Sequence, residues 1–166
     1  MAEITLQGNT IHTSGELPGS GAAAPAFKLT NADLEDVTLA SFKGKKKLLN
    51  IVPSLDTPVC AVSTRKFEEA AGGRDDLEVL IVSADLPFAQ KRFCDENNLT
   101  QVVPLAMMRD KNFGKDYGVL IQDGPLAGIT ARAVVVLDEN DKVVYSEMVP
   151  EIGQEPDYEK ALAATR

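Results

Sequence analysis

The segment Leu48-Leu49-Asn50-Ile51-Val52-Pro53-Ser54-Leu55-Asp56-Thr57-Pro58-Val59-Cys60 contains the switch in pattern on which the fold turns. Its first five residues form a short apolar run that suits a buried central strand. Beyond Pro53 the pattern becomes helical. Thr57 fits an N-cap, and Pro58 fits the first helical position, where a missing N–H costs nothing. Cys60 then stands at the third helical position, and Gly72-Gly73 stops the helix. A thiol in such a first turn faces free backbone N–H groups and the positive end of the helix dipole, which favour its anion. Thr57 can accept a backbone N–H through its hydroxyl oxygen and still donate its proton to a nearby sulfur or substrate oxygen. Pro53, where the strand ends, helps shield the sulfur from bulk water. The local pattern leaves a second reading equally open: Cys60 as a small buried hydrophobe, the usual fate of a free cysteine.

Downstream, Leu77 to Val82 forms a second buried strand, followed by Asp85-Leu86-Pro87 and a short helix bearing Phe88, Arg92, Phe93 and Cys94. Asp110 to Tyr117 reads as another short helix, ended by Gly118. Ala131 to Leu137 and Val143 to Met148 form a strand pair joined by Asp138-Glu139-Asn140-Asp141, and Pro156 to Ala164 closes as a helix. Upstream, Phe27-Lys28-Leu29 and Val37-Thr38-Leu39 look like short strands, and Gly15 to Pro25 is a connector. Residues 1–15 read as a hairpin turning about Gly8-Asn9. Strands alternating with helices, plus a terminal hairpin, imply an α/β sheet covered on both faces.

The 166 residues fit one domain, 1–166, and 44% hydrophobic with 25% charged residues builds a core without staples. No apolar run reaches membrane-span length, and residues 1–15 have neither a basic n-region nor an apolar h-region, so a cytoplasmic location is expected. Seventeen Lys and Arg against 25 Asp and Glu give a net charge of −8, the wrong sign for a general nucleic-acid or acidic-membrane binder. The basic run Lys45-Lys46-Lys47 reads as a solvated turn. With two cysteines and one histidine, a zinc site would have to gather His12, Cys60, Cys94 and a carboxylate from far-apart segments, so no metal or other cofactor is expected. A cysteine hydrolase is disfavoured because His12, the sole histidine, sits in the hairpin. Redox chemistry remains. The residues after Cys60, Ala61-Val62-Ser63, supply no C-x-x-C, which argues against a disulfide oxidoreductase.

Pro53-Ser54-Leu55-Asp56-Thr57-Pro58-Val59-Cys60 resembles the P-x3-T-x2-C signature of the peroxiredoxins. The stretches PSLDTPVCAVSTRKFEE, SADLPFAQKRFC, YGVLIQDGPLAGITARAVVVLDEND and EPDYEKALA are similar to one branch, the bacterial thiol peroxidases, which are atypical two-cysteine peroxiredoxins. The likeness covers nearly all of the chain, hairpin included. It implies a thioredoxin-like fold with a central mixed sheet, helices on both faces and an N-terminal β-hairpin extension. The implied activity is reduction of hydrogen peroxide and organic hydroperoxides, recycled by thioredoxin, in a homodimer.

Carried over residue by residue, the resemblance makes Cys60 the peroxidatic cysteine and Thr57 the residue that hydrogen-bonds the sulfur and the peroxide. Pro53 becomes the shielding proline and Arg132 the active-site arginine, whose permanent charge polarises the O–O bond. A strand-end salt bridge is the plainer use of Arg132, but a lone arginine opening an Ala/Val run is an expensive choice for that. Cys94 becomes the resolving cysteine and partner in a Cys60–Cys94 disulfide; without the resemblance it reads as a core residue beside Phe93. A non-enzymatic redox switch built on the same cysteines is the competing reading. Arg65, Arg92 and Arg109 read as solvated or structural, Ser54 and Asp56 as loop and cap chemistry. Met107 and Met108 read as core filler that can also line an apolar peroxide pocket.

Overall fold

The structure, a computed structural model, describes residues 1–166. Strands β1 (Glu3–Leu6) and β2 (Asn9–His12) pair as a separate two-stranded hairpin. The elements that follow are β3 (Leu29–Thr30), β4 (Asp36–Val37), β5 (Lys46–Ile51), α1 (Pro58–Ala71), β6 (Leu77–Ser83), α2 (Pro87–Glu96), β7 (Val102–Ala106), α3 (Phe113–Asp116), β8 (Ala133–Leu137), β9 (Val143–Met148) and α4 (Tyr158–Ala163). The seven strands from β3 onward form one mixed sheet in the order β4-β3-β7-β6-β5-β8-β9. β5, β6 and β7 run parallel, while β8 lies antiparallel to β5 and β9 antiparallel to β8.

The period-two alternation of the central strands divides the core between the sheet's faces. Leu49, Ile51, Leu80, Val82, Val135 and Leu137 point to one face, where Ile4 and Ile11 of the hairpin and Phe113 of α3 cover them. Leu48, Val79, Ile81, Val134 and Val136 point to the other, beneath Phe67 of α1, Cys94 of α2 and Ala161 of α4. Burying a ring such as that of Phe67 is worth about 1.5–3 kcal/mol, and the ring also meets Tyr158 edge-on at 5.3 Å, which locks α1 against α4. The expected thioredoxin-like α/β architecture, with its central mixed sheet and N-terminal hairpin, is present. No helix is long and apolar enough to cross a membrane.

Several local readings shift. The hairpin turns on Gln7-Gly8 rather than Gly8-Asn9: both have positive φ, 51° and 81°, as a type I′ turn requires. The early strands fall at Leu29–Thr30 and Asp36–Val37, slightly off the expected residues. Strand β7 carries Pro104 at its centre, a residue that cannot donate to a ladder and is rare in a sheet interior. It is tolerated there because β3 pairs with β7 only at Thr30 and Ala106, leaving the rest of that edge open. The run Lys45-Lys46-Lys47 is no solvated turn. Lys46 and Lys47 open β5, and Lys47 is fully buried, its Nζ 2.5 Å from Asp141 Oδ1. An ammonium is kept under the sheet only with such a partner. Gly118 ends α3 as expected, at φ 71°, and a Cβ there would lie 2.2 Å from the Glu16 carbonyl oxygen, so only glycine fits.

Candidate active site

The end of β5 and the start of α1 bring the first site residues together. Between them the loop Pro53–Thr57 is shaped by Asp85, which follows β6. One Asp85 carboxylate oxygen accepts from Ser54 Oγ (2.7 Å), the other from Leu55 N (2.7 Å) and Ser83 Oγ (2.7 Å). Ser83 in turn accepts from Gln90 of α2 at 3.0 Å, so one polar network links the loop, the β6 end and α2. Ser54 Oγ also accepts from Asp56 N, the loop chemistry expected of this pair.

Thr57 occupies the N-cap position, with Pro58 next, but its hydroxyl makes no side-chain cap bond. It donates instead to the Ser54 carbonyl at 3.0 Å, because the turn from Ser54 brings that oxygen within reach. The expected backbone N–H to the Thr57 hydroxyl is therefore not made. Pro53 is buried two residues beyond the end of β5.

Cys60 is fully buried. Its carbonyl accepts from both Ser63 Oγ (3.1 Å) and Thr64 Oγ1 (2.7 Å), back-bonds that compete with the helical ladder in this turn. Arg132, 2% exposed, immediately precedes β8 and reaches across the sheet: its Nη1 donates to Cys60 Sγ at 3.0 Å. Its Nε donates to the Ile152 carbonyl at 2.9 Å, which sets the plane of the guanidinium. Thr130 Oγ1 donates to the Val52 carbonyl at 3.1 Å, tying the approach to Arg132 onto the end of β5. The arrangement complements negative charge on the sulfur with a fixed cation aimed at it.

Cys94 is 7% exposed and free, as is Cys60, and both pack into the same apolar core. Burial, with the charges of Asp95 and Glu68 added, pushes the Cys94 thiol up to about 11. The structure thus brings Arg132 onto Cys60, places Thr57 at the N-cap of the same helix and Pro53 in the loop before it, and sets Cys94 on helix α2. Asp85, Thr130 and the Ile152 carbonyl were not read from the sequence. The pattern Ser83-x-Asp85 at the end of a buried strand was the available signal for the first, a serine-type turn in which Asp85 N donates to Ser83 Oγ at 3.2 Å. His12 stands apart, with Nδ1 2.6 Å from Asp123 Oδ2. Met107 packs on the core, and both methionines line a small depression of about 130 Å³ that also includes Thr130, so Met107 serves as filler and wall together and Met108 as wall. Arg92 and Arg109 pair with Glu96 and Asp36 at the surface, as expected of structural arginines. No group of three His, Cys, Asp or Glu side chains gathers in a way that would hold a metal ion.

A thioredoxin-like sheet with an arginine-held cysteine at a helix start defines a thiol redox protein. The Redoxin family model matches residues 19–162. The thiol peroxidase of Mycobacterium tuberculosis is 57% identical over 164 residues, covering 99% of this chain and 98% of that one. Among solved structures, a peroxiredoxin-like protein from Aquifex aeolicus superposes with a TM-score of 0.93 at 39% identity, covering 99% of this chain and 96% of that one. The thiol peroxidase from Chromobacterium violaceum superposes at 0.89 with 26% identity, covering 95% and 91%. The chain belongs to the Redoxin family and, within it, to the thiol peroxidases among the peroxiredoxin enzymes. Thiol-dependent peroxide reduction follows as its activity, which sets aside the non-enzymatic switch.

Proposed function

We propose that residues 1–166 act as one thioredoxin-dependent thiol peroxidase unit, with Cys60 peroxidatic and Cys94 resolving. The observation that carries this reading is the 3.0 Å contact from Arg132 Nη1 to Cys60 Sγ in the first turn of α1. The Cys60 thiolate attacks the terminal oxygen of hydrogen peroxide or an organic hydroperoxide. An S–O bond forms, the O–O bond breaks, and the water or alcohol leaves after taking up a proton. Arg132, with Nε anchored and Nη1 on the sulfur, keeps the rest of its fork for the peroxide oxygen on which charge develops. Thr57, its proton committed to Ser54, offers oxygen lone pairs to the peroxide hydrogen. Pro53 keeps water from the sulfur.

Cys94 then attacks the sulfenic sulfur: an S–S bond forms and hydroxide leaves as water. Two cysteines on separate helices must meet for this, so the first turn of α1, the end of α2, or both unwind. The Cys60 carbonyl, back-bonded by both Ser63 and Thr64, supports such unwinding, because these bonds compete with the helical ladder in the first turn of α1. The thioredoxin dithiol reduces the disulfide and returns both thiols. A homodimer belongs to the same reading, and light scattering tests it. The assay that tests the whole follows NADPH with thioredoxin reductase, thioredoxin and peroxide. Many peroxide equivalents consumed per chain are expected, with one peptide pair linking Cys60 to Cys94 after a single equivalent. Turnover that stops after one equivalent overturns the proposal.

In the same assay Arg132→Lys is expected to lose roughly a hundredfold in kcat/KM, about 3 kcal/mol, because an ammonium retains charge but not the planar fork. Wild-type kinetics in this variant would place the working cation elsewhere.

A further inference from the structure

Arg132 is aimed at Cys60 by a carbonyl rather than by a carboxylate, and that carbonyl lies on a segment held from outside the sheet. Ile152 accepts from Arg132 Nε through its C=O, while its own N–H donates to the Thr5 carbonyl at 2.9 Å. Thr5 N returns a bond to the Pro150 carbonyl at 2.8 Å, so the segment 150–152 is laced onto β1. Glu151 sits in the middle of this lacing. Its Oε1 accepts from Gly8 N in the hairpin turn (3.0 Å) and from Thr5 Oγ1 (3.1 Å). Its Oε2 accepts from Gly153 N at 2.8 Å, one residue beyond the carbonyl that holds the arginine. The backbone N–H groups of Gly153 and Gly8 hold this carboxyl below the usual carboxylate range. The hairpin itself lies before residues 19–162, the part matched by the Redoxin family model.

We propose that Glu151 is a positioning residue for Arg132, clamping the N-terminal hairpin to the segment 150–153 so that the Ile152 carbonyl holds the guanidinium against the Cys60 sulfur. The inference rests on the reading of Arg132 as the arginine that acts at that sulfur. The Glu151 carboxylate bonds to Thr5, Gly8 and Gly153, not to a cysteine or to Arg132. Its effect passes through one peptide unit, whose N–H is fixed by the hairpin and whose C=O is fixed on Nε. Loosening the clamp lets that carbonyl drift, and the guanidinium plane drifts with it.

A double-mutant cycle tests this, read by rapid mixing of the reduced protein with hydrogen peroxide and by the pH profile of Cys60 alkylation with iodoacetamide. Glu151→Ala is expected to slow the peroxide step by about tenfold, short of the roughly hundredfold that a misplacement of about 1 Å costs. It is also expected to move the alkylation profile toward higher pH. In an Arg132→Lys background Glu151→Ala should add nothing to either readout. Thr5→Val, which removes the hydroxyl's contacts with Glu151 and with the Pro150 carbonyl while leaving the other bonds of the clamp, is expected to cost about two- to threefold, again only when Arg132 is present. It keeps the test decisive should Glu151→Ala fail to fold. An equal loss in both backgrounds, or no loss from either variant, overturns the clamp. A wild-type peroxide step in Arg132→Lys alone overturns the underlying reading of Arg132, an outcome separate from those of the Glu151 arms.

Discussion

Cys60→Ser leaves no peroxide consumption above the uncatalysed background in the thioredoxin-coupled assay. A hydroxyl keeps the size of the thiol and can still accept from Arg132 Nη1, so the buried first turn of α1 stays folded. What it lacks is an anion. A serine hydroxyl with no neighbouring base is not ionised near neutrality, whereas a thiol is the softer and far more available nucleophile. No histidine is at hand to replace that deficit, because His12 is bonded to Asp123 on the hairpin side of the molecule. The check is a kinetic trace alongside a thermal melt of the same sample. A folded variant that still turns over peroxide at the wild-type rate removes Cys60 from the chemistry.

Cys94→Ser separates the two halves of the cycle. The first equivalent of peroxide should react at close to the wild-type rate, since in the proposed mechanism that step draws on Cys60, Thr57 and Arg132 alone. Turnover with thioredoxin should then fail, because no intramolecular disulfide forms for the donor to attack. The stranded sulfenic acid becomes open to the irreversible sulfinic form, read by mass spectrometry as a further oxygen on the Cys60 peptide. The wild type adds a pH signature with a definite sign. The Cys94 thiol is raised from 9.0 to about 11 in the folded state. Burial of the neutral thiol therefore contributes to α2's stability below about 9, and that contribution fades as pH rises through the folded value. Disulfide formation, which requires α2 to yield Cys94, should accelerate as pH climbs from about 9 toward about 11, while the first oxidation step keeps its own profile. Full thioredoxin-driven turnover by Cys94→Ser, or a linkage between two chains instead of within one, returns Cys94 to the role of a core residue.

The chain has no tryptophan, so the fluorescence of a tryptophan-containing thioredoxin can be followed in these experiments without interference from the peroxidase.

The parts of the site legible in sequence are those set by local energetics. A proline that can only begin a helix, a threonine before it, an apolar run before that and a glycine pair after it determine β5, α1 and the position of Cys60. The same reasoning locates α2 behind Pro87 and the end of α3 at Gly118. Each of these follows from the chain's own dihedral preferences and from hydrogen bonds a few residues long. The family likeness added roles to residues that local chemistry alone left ambiguous, Cys94 and Arg132 above all.

Tertiary structure alone decided the rest, and for one physical reason. Arg132 and Cys60 are 72 residues apart, and they meet because β8 pairs with β5, a choice of neighbour that no local preference encodes. Strand order likewise buries Lys47 against Asp141, 94 residues away, although three adjacent lysines read locally as a solvated turn. It lets β7 keep Pro104 by leaving most of one edge open, and it sets Asp85 under the Pro53–Thr57 loop. It also brings Thr5 and Gly8 against Glu151, more than 140 residues onward. Polar partners inside a protein are selected by what the packed sheet brings within about 3 Å, since a buried charge or backbone group must find its hydrogen bond wherever the fold supplies one.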